Sequence, residues 1–420
     1  MFYREVRNLE RVILHSDANG FYASVECLRH PELRQKPMVV GGDVQARHGI
    51  VLAKNQLAKQ WGIRTGQVLW QARQNCPGLI IQPPDYHQYL RFSRRLQEIY
   101  LAYTDRVEPF GLDECWLDVT GCDGESLAQE IRQRVKAELG ITVSIGVSFN
   151  KIFAKLGSDY KKPDAVTVIS RENFREIVWP LPAGDLLYVG PATRRKLEGL
   201  CIATIGQLAS APPETLRARL GKMGEVLYCF ANGYDSAPVA RYTDQPPVKS
   251  VGNSATTVRD LKNDEDVGCV LAVLCDSVGR RLREQGLRGR GVSVGVRNCR
   301  LSSASFQCTL PRATDLTTEI AGQAMKLFRA HYDWKRPGVL PLRSIGVHVF
   351  DLSCGEETVQ LDCFGEAGRR EREKRLEETT DRLKRRFGAA CVRPASLLVD
   401  PRLTAFDPKS EHIIHPVGYF

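Results

Sequence analysis

Short apolar runs alternate with amphipathic stretches along this chain. An apolar run that begins at Val12 and ends at Asp17 predicts a buried strand. Apolar residues at helical spacing predict helices over 89–103 and 126–139, and alternation over 141–147 predicts another strand. Because strands and helices alternate, we expect a sheet backed by helices on one face.

The second half of the chain carries the same two patterns. Residues 179–242 are helical in pattern and punctuated by glycines, and residues 265–285 predict a long helix. Residues 288–297 alternate apolar and polar side chains, so we expect a strand with one face on a core and Arg297 on the other. A charged helix is predicted over 369–387.

Length and charge narrow the class of protein. A chain of 420 residues is too long for one ordinary core, so the prediction is a multidomain α/β (α+β) protein. The net charge of +10 suits a polyanionic partner without proving one. Residues 251–355 carry fifteen Lys or Arg against ten Asp or Glu, which is half of the whole excess.

Cysteine usage and the first residues argue against several classes. The thirteen cysteines contain no C-x-x-C pair, which indicates neither a zinc site nor a disulfide framework. The N-terminal residues lack an apolar signal core, and no stretch approaches the length of a membrane helix. We therefore expect a cytoplasmic protein without a membrane association.

Two adjacent acids, Asp113 and Glu114, are the main candidates for chemistry. Adjacent acids are common on solvated turns, but apolar neighbours such as Leu112 and Trp116 favour a buried setting here. Asp17, at the end of the first strand, offers a third carboxylate. Three carboxylates with no nearby cation predict a site for divalent metal ions, and paired hard ions serve phosphoryl transfer.

The residues after Asp17 predict an anion-binding turn. Asn19 and Gly20 turn the chain into a helix whose first turn carries Phe21 and Tyr22. Free backbone N–H groups and the helix dipole favour a phosphate at such a helix start. His15, on the strand before it, is interpreted as a core residue, with metal ligation as the alternative.

Three segments carry a resemblance to a known family. They are residues 17–26 (Asp-Ala-Asn-Gly-Phe-Tyr-Ala-Ser-Val-Glu), residues 112–114 (Leu-Asp-Glu) with 117–120 (Leu-Asp-Val-Thr), and residues 150–163 (Asn-Lys-Ile-Phe-Ala-Lys-Leu-Gly-Ser-Asp-Tyr-Lys-Lys-Pro). In order and spacing they resemble the Y-family translesion DNA polymerases, most closely the bacterial DNA polymerase IV branch. The resemblance covers about the first 355 residues.

The resemblance implies a right-hand polymerase with a ferredoxin-like palm. The expected domains are listed by residue: palm 1–19 and 86–178, fingers 20–85, helical thumb 179–242, linker 243–250, α+β little finger 251–355 and a tail 356–420. The implied activity is template-directed, low-fidelity addition of deoxynucleotides to a primer 3′ end, past damaged template bases. No segment resembles a proofreading exonuclease. The implied partners are primer-template DNA and deoxynucleoside triphosphates, and we expect a monomer.

The same resemblance implies a site for two Mg²⁺ ions, which Mn²⁺ can replace. The implied ligands are Asp17, Asp113, Glu114 and the carbonyl of Ala18. Tyr22 is the steric gate that collides with a ribose 2′ hydroxyl, although an aromatic on a first helical turn is also a common core residue. Contacts to the triphosphate are assigned to the backbone from Asn19 to Tyr22, including Gly20 and Phe21, and to the side chain of Lys162.

Family positions that contact the triphosphate from the fingers map onto Ala53, Gln56 and Lys59. The sequence departs from the family here, because Gln56 stands where Tyr is usual and Lys59 where Arg is usual. Lysine offers a point charge and not a planar fork, so we expect a looser contact. Gly111 also replaces a serine that often precedes the acidic pair.

Residues 186–197 resemble a helix-hairpin-helix module, whose hairpin N–H groups grip a DNA phosphate. Tyr188 replaces the first of the two expected glycines, so we expect a distorted hairpin, with a helical packing turn as the alternative. Arg194, Arg195 and Lys196 are predicted to face phosphates. Arg297 is the predicted DNA contact of the little finger.

Residues 360–364 (Gln-Leu-Asp-Cys-Phe) resemble the short peptide that bacterial proteins insert into the sliding clamp. Leu361 and Phe364 are the predicted anchors, and Gln360 orients the peptide. The alternative is a short strand or loop attached to the core. Two other functions stay open for the whole chain, a nucleotidyl cyclase and a non-catalytic DNA-binding protein, and both fit the sequence less well.

Overall fold

The computed structural model describes residues 10–43, 47, 49–244, 247–355 and 366–411. These residues form two compact units, one taken from the chain before residue 245 and the other from residues 247–411 with Asp43, Arg47 and Gly49. No helix in the described ranges is long and apolar enough to cross a membrane.

The first unit contains eight strands and eleven helices among its described residues. The strands are β1 Ile13–Ala18, β2 Met38–Gly41, β3 Val51–Lys54, β4 Ile80–Gln82, β5 Val107–Pro109, β6 Glu114–Asp118, β7 Val143–Ser148 and β8 Val166–Ile169. The helices are α1 Phe21–Arg29, α2 Gln56–Gln60, α3 Leu69–Asn75, α4 Tyr86–Leu101, α5 Gly124–Leu139, α6 Lys151–Tyr160, α7 Phe174–Val178, α8 Pro191–Glu198, α9 Ile205–Ser210, α10 Pro213–Leu220 and α11 Lys222–Ala231.

A five-stranded sheet in the order β5-β6-β1-β7-β8 is the centre of this unit. Strand β1 is antiparallel to both neighbours, β6 and β7. One face, with Leu14 and Leu117, shares a core with the buried side chains of α4 and α5. The other face, with Ile13 and Trp116, packs on Ala154 of α6. The prediction of helices on one face only was therefore wrong, because α6 covers the opposite face.

Helix α6 approaches the sheet closely enough for backbone contact, and two glycines make this possible. A Cβ atom on Gly146 of β7 would lie 1.9 Å from the carbonyl oxygen of Ala154. A Cβ atom on Gly157 of α6 would lie 3.0 Å from the Cα of Gly146. Larger residues at these positions would push the helix away from the strand.

Two smaller assemblies complete the first unit. Strands β3, β2 and β4 form a three-stranded sheet with its own core of eight buried side chains, from Val39 to Leu79. Residues from Phe149 to Ala231, including those of α6 to α11, form a third core. Tyr188, in the turn before α8, has a φ of 70°, which is the left-handed conformation that favours glycine.

The second unit is an antiparallel sheet with helices. Its strands are β9 Ser250–Leu261, β10 Leu287–Asn298, β11 Ser303–Thr314 and β12 Leu342–Cys354, in the order β11-β10-β12-β9. Its helices are α12 Asp264–Glu284, α13 Thr317–His331, α14 Glu366–Phe387, α15 Pro401–Thr404 and α16 Pro408–Glu411.

The predicted elements of this unit are confirmed within a few residues. Helix α12 corresponds to the predicted helix 265–285, and β10 to the predicted strand 288–297. Val292, Val294 and Val296 of β10 are buried, whereas Arg297 is exposed, as the alternation predicts. Helix α14 corresponds to the charged helix predicted over 369–387, and it packs against the same unit. The candidate clamp peptide, residues 360–364, lies outside the described residues.

Candidate functional site

The three candidate carboxylates meet at one end of two paired strands. Asp17 of β1 lies directly opposite Glu114 of β6 in the antiparallel register. The backbone N–H of Ala18 donates to the carbonyl of Asp113 over 3.0 Å, so Asp113 is fixed beside the same strand end. Gly111 precedes the pair with a φ of 98°, a conformation that favours glycine, which accounts for glycine at this departure from the family pattern.

The site brings three carboxyl groups together in a partly buried setting. Burial, with Asp17 and Glu114 nearby, raises the pKa of Asp113 from 3.8 to about 7. Burial also raises the pKa of Asp17 to about 6, against the opposing effect of Lys162. Carboxylates held in this way favour a bound cation, because a cation offsets both the desolvation and the mutual repulsion.

Two lysines supply such cations within this structure. The Nζ of Lys162 lies 2.6 Å from Asp17 Oδ2, and the Nζ of Lys155 lies 2.5 Å from Glu114 Oε2. The expectation of three carboxylates without a nearby cation was therefore wrong. Lys155 belongs to α6 and Lys162 follows it, and the close approach of α6 to the sheet brings both lysines to the acids.

His15 lies behind Glu114 and is fully buried. Its Nδ1 lies 2.8 Å from the hydroxyl oxygen of Ser158, and that hydroxyl donates to the carbonyl of Lys155. Its Nε2 lies 3.5 Å from Glu114 Oε2 and has no hydrogen-bond partner. Burial lowers the pKa of His15 well below 6.5, so the ring is neutral, and it packs edge-on against Trp116.

The donor set suits a hard divalent ion. The site offers only oxygen ligands, from Asp17, Asp113 and Glu114, and Mg²⁺ and Mn²⁺ accept such ligands. The raised pKa of Asp113 and the pairing of Asp17 with Lys162 both indicate that these carboxylates favour a nearby cation. Among the residues that the structure describes, no three acidic, histidine or cysteine side chains are already arranged around a common metal position. The carboxylate of Asp17 would have to turn from Lys162 to a metal, whereas Glu114 could keep its contact with Lys155 through Oε2.

The turn after Asp17 has the predicted form of a helix start. Gly20 caps α1 with a φ of 54°, and among the described residues this helix start has no side-chain cap hydrogen bond. Asn19 is fixed from two sides, because its N–H donates to the Thr142 carbonyl and its side chain accepts from Ser144. A Cβ on Gly20 would lie 3.2 Å from the carbonyl oxygen of Lys54, so β3 borders this turn.

Tyr22 stands on an aromatic support next to the acids. Its ring stacks on Tyr89 with centroids 4.2 Å apart and planes at 12°. Tyr86 meets Tyr22 edge-on at 6.1 Å, and Phe21 packs beside it at 5.7 Å. Burial and the charge of nearby Asp113 raise the pKa of Tyr22 to about 12. The ring is thus held in place near the carboxylates and keeps its proton at neutral pH.

The fingers-side residues lie on the segment that borders Gly20. Ala53 is the third residue of β3, and Gln56 and Lys59 belong to α2, where both are exposed. Lys54, which lies between Ala53 and Gln56 in the chain, is partly buried. Burial lowers its pKa, and repulsion from Lys59 lowers it further.

The predicted DNA-contacting residues of the two units are exposed. Arg194, Arg195 and Lys196 lie on α8, where Arg194 pairs with Glu198 at 2.9 Å. In the second unit, Arg297 donates from Nε to the Leu301 carbonyl over 3.2 Å. An exposed i,i+4 pair contributes little to stability, so Arg194 is available to a phosphate.

Sequence reasoning also missed Lys155, Ser158 and the aromatic support formed by Tyr86 and Tyr89. A usable signal was present for part of this set. Residues 155 and 158 are spaced three apart, which places them on one helical face. The position of that face against β1 depends on tertiary packing, which the spacing does not give.

Comparison with known proteins identifies relatives over nearly the whole chain. The model of the impB/mucB/samB family matches residues 16–159, and the model of its C-terminal domain matches residues 248–363. DNA polymerase IV of Acetivibrio thermocellus is 48% identical over 397 residues, which cover 93% of this chain and 98% of that protein. DNA polymerase IV 1 of Bacillus subtilis is 35% identical, with 92% and 93% covered.

A solved structure shows the same fold. A Y-family DNA polymerase chimera aligns with a TM-score of 0.72 at 24% identity, covering 82% of this chain and all of that one. The fold is therefore that of the Y-family DNA polymerases, and the predicted fold class is confirmed. The chain belongs to the impB/mucB/samB family, and its resemblance to the DNA polymerase IV branch is confirmed by the relatives of that name.

Proposed function

We propose that this protein is a template-directed DNA polymerase that adds deoxynucleotides to a primer 3′ end and continues past damaged template bases. The carrying observation is the register of β1 and β6, which sets Asp17 opposite Glu114 and beside Asp113. The relatives named DNA polymerase IV support the same activity over nearly the whole length of the chain. The reaction class is nucleotidyl transfer.

Two Mg²⁺ ions would be held by Asp17, Asp113, Glu114 and the carbonyl of Ala18. Such ions would supply charge neutralisation and would polarise a primer hydroxyl for attack on the α-phosphate. The protein's own contribution is positioning, since the strand register fixes the acids before substrate arrives.

The two lysines have different roles in this proposal. Lys162 would leave Asp17 and bind the triphosphate, with the N–H groups from Asn19 to Tyr22 as further donors. Lys155 would stay beside Glu114 as a positioning residue, because it lies on the same side as His15 and both contact Oε2. That arrangement leaves Oε1 of Glu114 to face a metal ion.

The remaining contacts follow the proposed division of the chain. Residues 1–19 and 86–178 form the palm, 20–85 the fingers, 179–242 the thumb and 251–355 the little finger, with 243–250 as linker. Ala53, Gln56 and Lys59 would contact the triphosphate from the fingers. The proposed DNA contacts are the exposed cations of α8 and β10: Arg194, Arg195, Lys196 and Arg297. The protein would act as a monomer.

Primer extension on a gapped template, with each deoxynucleotide supplied in turn, tests this function. We expect template-directed addition that requires Mg²⁺ or Mn²⁺, with frequent misinsertion and with extension past a damaged base. A nucleotidyl cyclase would form a cyclic product from a triphosphate without a primer. A non-catalytic DNA-binding protein would bind the primer-template and extend nothing.

Without divalent metal, we expect the protein to lose stability as the pH rises. Asp113 and Asp17 have pKa values of about 7 and about 6 in the folded protein, against 3.8 as the ordinary value. The folded state therefore binds more protons than the unfolded chain between about pH 4 and 7, so stability falls through that range. Thermal unfolding with a chelator at pH 5.5 and pH 8 measures this.

Asp113→Asn is the matched control for that measurement, because it removes the ionisable group and keeps the size. Its metal-free melting temperature should fall less between the two pH values than that of the parent. Added Mg²⁺ should raise the melting temperature of the parent at pH 8 and have less effect on the variant. Equal pH dependence of the melting temperature in both proteins would show that ionisation of Asp113 does not cause the loss of stability.

The peptide at residues 360–364 is proposed as the sliding-clamp tether. Replacing Gln360, Leu361 and Phe364 together with alanine should remove stimulation by the clamp on long primed templates, because the anchor side chains are lost. Addition of single nucleotides without the clamp should stay at the parent rate. A variant whose clamp-stimulated product lengths equal those of the parent would assign the tether elsewhere.

A further inference from the structure

Helix α14 is attached to the second unit by charged residues. Arg283 of α12 pairs with Glu377 at 2.5 Å and with Asp381 at 2.7 Å. Lys384 pairs with Asp276 of α12 at 2.6 Å. Asp381 and Lys384 are buried in these contacts. The polar residues of α14 therefore form its inner face.

The apolar residues of the same helix point away from the domain. Leu376, Leu383 and Phe387 are 66%, 39% and 62% exposed. Their spacing of seven and four residues places them in one stripe along the helix. A surface helix ordinarily buries such a stripe, so this helix has the reverse orientation. The stripe is therefore an exposed apolar surface along the helix.

A row of arginines borders the apolar stripe. Arg372, Arg375, Arg382 and Arg386 are exposed, and their spacing of three, seven and four also follows one helical face. Arg375 pairs with exposed Glu371 one turn away, at 3.2 Å, and such a pair is weak. The surface formed by these four arginines and the three apolar residues is named the α14 outer face.

We propose that the α14 outer face is a second contact for the protein that takes the 360–364 peptide, a sliding clamp with acidic and apolar groups beside its peptide pocket. This inference rests on the proposed clamp tether. Nucleic acid would use the arginines but not two leucines and a phenylalanine. A second copy of the chain would bring two arginine rows together, which costs free energy.

The position of the helix in the chain supports this choice of partner. Helix α14 begins at residue 366, two residues after Phe364. Leu376 is ten residues into the helix, which places it about 15 Å along its axis. A protein that holds the peptide is therefore within reach of the α14 outer face. The peptide would supply the anchor, and the helix would supply further apolar area and charge steering.

The experiment measures affinity of the full-length protein for the purified sliding clamp of the same organism, by calorimetry at low and high salt. The stripe variant is Leu376→Gln with Leu383→Gln and Phe387→Gln, and the row variant changes the four arginines to glutamine. Val258→Gln with Leu301→Gln is the matched control, since both residues are exposed apolar positions of the same unit. The alanine variant of residues 360, 361 and 364 reports on the peptide alone.

We expect the stripe variant to weaken clamp affinity by about tenfold, the range of a modest interface contact, with the control unchanged. The row variant should weaken affinity at low salt and flatten its salt dependence. Single-nucleotide addition without the clamp should equal that of the parent in both variants. Circular dichroism checks folding, and Leu376→Gln alone, the most exposed position, replaces the stripe variant if the latter does not fold.

Several outcomes would overturn the inference, and they are distinguishable. Parent affinity in the stripe and row variants, with loss in the peptide variant, would remove the α14 contact and leave the tether in place. Parent affinity in all variants would remove both. Loss of primer-template affinity in the row variant, with clamp affinity kept, would make this surface a DNA contact. Self-association of the parent that the stripe variant abolishes would make it a contact between copies.

Discussion

Replacing Asp113 or Glu114 with alanine should lower the rate of primer extension by about a thousandfold or more, which corresponds to a loss of roughly 4 kcal/mol of transition-state stabilisation. Both carboxylates lie at the strand end where Asp17 meets β6, so each would be a metal ligand and not a DNA contact. Single-turnover extension measures the rate, and fluorescence anisotropy measures primer-template affinity, which should stay close to that of the parent.

Asp118→Asn is the control for this experiment, because it alters an acid on the same strand. Asp118 Oδ1 accepts hydrogen bonds from Thr120, and asparagine keeps that acceptor atom. This variant should extend primers at nearly the parent rate. Robust synthesis by the Asp113 or Glu114 variant would reject the assignment of these residues to the metal site.

Replacing Tyr22 with alanine should admit ribonucleotides. The proposed discrimination is a steric collision between the ring and the 2′ hydroxyl, and the stack on Tyr89 holds that ring in place. Removal of a collision that costs about 3 kcal/mol lowers the selectivity for deoxynucleotides by more than a hundredfold. The measurement is the ratio of kcat/KM for a deoxynucleotide and the matching ribonucleotide.

Tyr22→Phe separates the steric role from the hydroxyl group. Phenylalanine retains the ring and the stack, so this variant should keep the parent selectivity. If the alanine variant discriminates as well as the parent, Tyr22 is a packing residue of the helix start and another side chain is the gate. Equal melting temperatures of the two variants would show that neither effect comes from unfolding.

Much of the fold could be predicted because local patterns and tertiary packing agree. Strand β1 ends where the apolar run meets Asp17, and α12 follows its helical spacing to within a residue at each end. The meeting of Asp17 with the acidic pair was also expected, since both lie at the end or edge of apolar segments. Antiparallel pairing of β1 with β6 then places Asp17 and Glu114 opposite each other.

The lysines could not be placed in the same way. Lys155 lies 41 residues from Glu114 in the chain, and their 2.5 Å contact depends on α6 covering the second face of the sheet. A sheet with helices on one face would have left no helix on the second face to bring Lys155 to Glu114. The orientation of α14 was equally inaccessible, because its amphipathic pattern predicts that Leu376 and Phe387 are buried, whereas ion pairs with α12 decide which face is inside.

The backbone contact between α6 and β7 has a consequence for the speed of metal loading. Gly146 and Gly157 let the helix rest directly on the strand, so the helix cannot slide or tilt without disturbing the sheet. Lys155 is therefore held beside Glu114, and Lys162, which follows the helix, would give way to a metal ion by rotation of its side chain. Movements of whole elements take microseconds or longer, and this exchange requires none. Metal entry should therefore be limited by diffusion and dehydration of the ion, with no slow conformational phase.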